Sequence, residues 1–65
     1  MNDYRTTLIR EFAELKEMEL NAGGLYQSIL PSISDPADLK ILEGIIADEN
    51  RHAAMVQGII NILEA

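Results

Sequence analysis

Apolar residues recur at three- and four-residue steps over two long stretches, the period of an amphipathic helix. In the first, Leu8, Phe12, Leu15, Ala22, Tyr26 and Leu30 mark one face of a helix expected over about 3–30. Pro31 ends it, because proline offers no N–H and clashes with the preceding turn. A short connection over about 31–35 follows. Asp35-Pro36-Ala37-Asp38 then reads as a helix start: Asp35 can cap, Pro36 suits the first helical position and Asp38 meets the positive end of the helix dipole. The second helix, over about 36–63, carries Leu42, Ile45, Ala53, Val56, Ile60 and Leu63 on one face. Two long helices joined by a short turn predict an all-α, antiparallel hairpin that takes up residues 1–65 as a single domain. Gly23-Gly24, inside the first helix, should cost about 1 kcal/mol per glycine relative to alanine. A tolerated kink accounts for the pair as well as a close approach or room beside a site does.

Three polar residues interrupt these stripes. Glu49 and His52, the one histidine, are three residues apart and therefore share a helix face. Glu19 lies between Leu15, Ala22, Gly23 and Tyr26. At about 1.5 Å per residue, Glu19 and Glu49 fall roughly 17 and 20 Å from the turn along their helices. They should therefore meet at one level of the hairpin. An uncompensated carboxylate in an apolar stripe is costly. A metal ion compensates it and accounts for the histidine as well, since Glu-x-x-His presents one oxygen and one nitrogen from a helix to a metal. The competing expectation is a metal-free hairpin in which Glu and His pair with one another or with Tyr26.

Composition narrows the choices. Five Lys or Arg against eleven Asp or Glu give a net charge of −6, which disfavours nucleic acid and anionic membranes and suits a cation. The absence of cysteine excludes disulfides, iron–sulfur clusters and thiolate zinc sites. No basic segment followed by an apolar run opens the sequence, and no apolar stretch reaches the roughly 18 residues of a membrane span, so a cytoplasmic protein is expected. Glu11, Glu14, Glu17, Glu43 and Glu64 are assigned to solvated faces or to helix pairs such as Arg10 with Glu14. Met1, Met18 and Met55 are read as packing residues, since the site is otherwise hard oxygen and imidazole.

A 65-residue chain has a thin core, and domains of this size commonly gain stability from metals or oligomerisation. Three ligands are also too few to close an iron site, and two helices leave an apolar face open. Pairing of two hairpins about a two-fold axis answers both deficits: a four-helix bundle would hold four glutamates and two histidines, the inventory of a dinuclear carboxylate centre.

At this point the sequence resembles the ferritin-like superfamily. Glu19-x-x-Ala22-x-x-x-Tyr26 followed by Glu49-x-x-His52 is similar to one half of a rubrerythrin-like bundle. The 30-residue interval from Glu19 to Glu49, with Asp35-Pro36, Leu39, Ile41-Leu42, Asp48-Glu49 and His52-Ala53-Ala54-Met55, resembles the encapsulated ferritins, which are short two-helix proteins. The resemblance covers roughly residues 17–63. It implies that Glu19, Glu49 and His52 are ligands of a di-iron ferroxidase centre between two subunits, with Tyr26 beside the metals. It also implies homodimers or rings of dimers, an encapsulin shell as partner and location inside a protein nanocompartment. Two features depart from that pattern: Met18 and Asn21 stand where the family has acidic residues that help metal enter, and these residues contain no counterpart of its shell-targeting peptide. The expected activity is oxidation of Fe(II) to Fe(III) by dioxygen or peroxide, in iron storage or detoxification. Manganese and zinc are the alternative metals. A rubrerythrin-like peroxidase is the alternative enzyme, though the cysteine-ligated iron that would feed it electrons is missing; a metal-stabilised assembly module without turnover is the alternative from another class.

Overall fold

A computed structural model describes residues 3–65. Met1, read above as a packing residue, lies outside the described residues. The first helix, α1, spans Asp3–Ile29 and runs through Gly23-Gly24 without a break. It tightens into a 3-10 turn over Leu30–Ser32, where Pro31 cannot extend the α-helical hydrogen-bond pattern. The second helix, α2, spans Pro36–Glu64. Its start follows from the Asp35 carboxylate, which accepts from the backbone N–H of Ala37 at 2.8 Å and of Asp38 at 3.4 Å.

The two helices pack against each other in antiparallel fashion, as the cross-helix neighbours Lys16 with Gln57, Glu19 with His52 and Gly23 with Glu49 require. The Cα extents of 53 × 15 × 11 Å leave room for one layer of two helices. In α2 the residues facing α1 alternate at three- and four-residue steps: Leu39, Leu42, Ile46, Glu49, Ala53, Val56, Ile60 and Leu63. This is a coiled-coil-like seam. The α1 side of the seam runs Phe12, Lys16, Glu19, Gly23, Tyr26 and on to Leu30.

Several apolar assignments need correction. Ile46, 8% exposed, occupies the seam where Ile45 was expected, and Ile45 is 37% exposed. Leu15 is also 37% exposed, and its seam place is taken by Lys16, half-buried. Met18 and Met55, assigned to packing, are exposed by more than three-fifths. Ala22, half-buried, likewise yields the seam to the buried Gly23, and the reason is common to all of them. Each helix carries a second apolar stripe one residue before the seam: Leu15, Met18, Ala22, Leu25 and Ile29 on α1, and Ile41, Ile45, Met55, Ile59 and Ile62 on α2. Stepping back one residue rotates a helix surface by about 100°. Because the helices are antiparallel, equal rotations about their own axes turn both stripes to the same side of the hairpin. An open groove of about 270 Å³ near the turn joins them, lined by Ile29, Ile33, Asp38, Ile41, Leu42 and Ile45. The opposite flank is mostly polar, with Glu17, Gln27, Lys40, Glu43, Asn50, Gln57 and Asn61.

Candidate metal centre

Glu19 and Glu49 occupy facing seam positions near the middle of their helices, and His52 stands one turn beyond Glu49 at the edge of the exposed apolar side. One ligand atom from each of Glu19, Glu49 and His52 lies within 4.8 Å of the other two. The Oε2 atom of Glu19 is buried without a hydrogen-bond partner, and the Nδ1 atom of His52 lies 3.5 Å from it. Buried carboxylate oxygens are ordinarily hydrogen-bonded; this one has only the His52 ring nitrogen at 3.5 Å, so a proton on His52 or a cation held by all three residues could balance its charge.

Electrostatics agree with the geometry. The Glu49 carboxyl is held above its ordinary pKa, first by hydrogen bonding of its protonated form to Glu19, then by desolvation and by repulsion from the Glu19 charge. Asp48 adds further repulsion and His52 acts in the opposite direction. Two carboxylates that crowd each other in this way are separated by a proton or by a metal ion. The donor set of two carboxylates and an imidazole fits iron, manganese or zinc.

Near the site, Asp48 pairs with Arg51 on the exposed surface of α2. Tyr26 is half-buried on the α1 seam, two turns and about 10 Å along the axis from Glu19. Its hydroxyl makes no hydrogen bond among the described residues. Glu11, Glu14, Glu17, Glu43 and Glu64 are all exposed, as solvated faces require.

Sequence reasoning missed a polar bridge in the seam: Lys16 Nζ donates to Gln57 Oε1 at 2.7 Å, and Gln57 Nε2 donates to Asn61 Oδ1 at 2.9 Å. Counting back from Glu19 by the seam's own three-residue step would have found Lys16. The bridge lies one turn from Glu19 and ties the two helices together where the apolar seam gives way to the charged site.

Compared with known proteins, the chain matches no family model, no curated protein and no solved structure.

Proposed function

We propose that two copies of the hairpin pair through their exposed apolar sides into a four-helix bundle, and that the paired sites bind and oxidise Fe(II) as a ferroxidase in iron storage or detoxification. The observation that carries this reading is the convergence of Glu19, Glu49 and His52 around a buried carboxylate oxygen that makes no hydrogen bond. Three ligands from one copy leave an iron ion under-coordinated. A second copy brings the total to four carboxylates and two imidazoles.

Three further features support pairing on this side. His52, whose side chain is 52% exposed, belongs to the stripe between Ile45 and Met55. The stripe runs along both helices and is bordered by a polar flank, the pattern of an interface rather than of scattered surface apolars. The site lies near the midpoint of both helices, so a two-fold axis through it lets the hairpins overlap along their whole length.

Fe(II) is the substrate. Each of two Fe(II) ions gives up one electron, and dioxygen takes both together with two protons to leave as hydrogen peroxide. The carboxylates of Glu19 and Glu49 supply hard anionic oxygens, which favour the ferric product over the ferrous substrate. His52 binds through a neutral ring nitrogen, so protons compete with the metal at acid pH. The resemblance to encapsulated ferritins supports the same reading, and a ring of dimers or a shell would supply the storage space that one dimer lacks.

Oxygen uptake on adding Fe(II) tests the activity. The wild type consumes dioxygen in proportion to iron, and Glu49→Ala loses the fast phase. Full activity in Glu49→Ala would refute the site. Iron binding without oxygen uptake would leave a metal-stabilised assembly module in place of the enzyme.

A further inference from the structure

Gly23 is a buried seam position, four residues after Glu19, and faces Glu49 and Asn50 of α2. A Cβ placed there would lie 3.7 Å from Glu49 Cβ and 3.8 Å from Asn50 Oδ1, ordinary van der Waals contacts. The helices therefore do not need glycine in order to pack at this separation. Alanine would fit, would fill the space and would suit a helix interior better. The backbone offers no reason either, since no glycine here has a positive φ.

What glycine does provide is free space against the first side-chain atom of a site carboxylate. In close-packed protein a methyl group in contact with a Cβ restricts the rotamers of that neighbour. The ligand atoms of Glu19, Glu49 and His52 lie within 4.8 Å of one another. Closing on one ion brings neighbouring ligand atoms to roughly 3.0–3.5 Å, given metal–ligand bonds of about 2.1 Å. His52 Nδ1 and Glu19 Oε2, 3.5 Å apart, already stand at that spacing, so the remaining adjustment falls to rotation of the Glu49 side chain about its stem.

We propose that Gly23 is a positioning residue: it keeps a one-methyl clearance beside the stem of Glu49, so that this carboxylate retains the rotamers it needs to close on the metal. The inference rests on the metal-site reading above. It is a stability–function trade, in which a better helix former is forgone where a ligand has to move.

The test compares Gly23→Ala with Gly24→Ala, using thermal unfolding of the metal-free protein and Co(II) titration followed by visible absorbance. Gly24 has nothing within 4 Å of an added Cβ, so alanine there gives the helix its propensity gain without touching Glu49. Both variants are expected to raise the melting temperature by roughly 4–8 °C. Gly23→Ala alone is expected to weaken Co(II) binding by about tenfold or more and to change the spectrum, the scale on which supports of metal ligands act.

Unchanged Co(II) affinity in Gly23→Ala would overturn the proposal, as would equal losses in both variants, which would assign the effect to helix stiffness. A lower melting temperature in Gly23→Ala would overturn it too, because the glycine would then serve packing. If the wild type itself binds no Co(II), the metal-site reading fails and takes the inference with it; binding by wild type and Gly23→Ala alike removes the inference alone.

Discussion

Leu25→Asp is the sharpest probe of the exposed apolar side. Leu25 is 69% exposed in the single hairpin, so the α1–α2 seam depends little on it. Fully burying a leucine side chain is worth about 1.5–3 kcal/mol, so covering the exposed part gives roughly 1–2 kcal/mol. A two-fold interface contains the residue twice, which makes about 2–4 kcal/mol per dimer. Losing that contact weakens the dimer by roughly 30- to 1,000-fold, before the added cost of placing two carboxylates in the interface. Sedimentation velocity over a dilution series reads the dissociation constant directly, and Gln27→Asp, on the polar flank, supplies the control. Helicity should fall with dilution in Leu25→Asp, since a two-helix layer that loses its partner loses the stability linked to association. A dimer constant within threefold of wild type would refute the assignment of this face. So would equal weakening by both variants.

Other perturbations test the hairpin and its electrostatics. Ile46→Ala, at a buried seam position, should destabilise by about 2–4 kcal/mol in chemical denaturation, whereas Ile45→Ala should cost less in the hairpin and more in the dimer. Asp35→Ala removes the N-cap of α2 and should cost about 1 kcal/mol in the same assay. The Glu49 pKa is raised on folding, so the folded state binds more protons than the unfolded chain between the ordinary value and the raised one. Metal-free stability should therefore decline as pH rises through that window, and Glu49→Gln should flatten the slope in pH-dependent thermal melts. A slope that survives in Glu49→Gln would place the coupled group elsewhere.

Helix limits and the level of the site were legible because they depend on local rules. Pro31, the Asp35 cap and a fixed rise per residue are properties of the backbone, and they bring Glu19 opposite Glu49 whatever the side chains around them do. The choice between Ile45 and Ile46, or between Leu15 and Lys16, was not legible in the same way. Both helices carry two apolar stripes about 100° apart, and periodicity alone does not say which one faces the sister helix and which is left open. Taking the apolar residue at every step hid Lys16, whose long stem reaches through the seam to Gln57 while its ammonium finds a partner. The Gly23-Gly24 pair was visible in the sequence, but its two members differ only in space: one is buried against Glu49, and the other faces open space.

Two hairpins are proposed to share a metal centre built from Glu19, Glu49 and His52. Native mass spectrometry of the protein titrated anaerobically with Fe(II), then exposed to air, tests it most directly. Two irons per dimer are expected, with the dimer fraction rising as iron is added and Glu49→Ala taking up none. A metal-free oligomer indifferent to iron, or a monomer at every iron concentration, would contradict it.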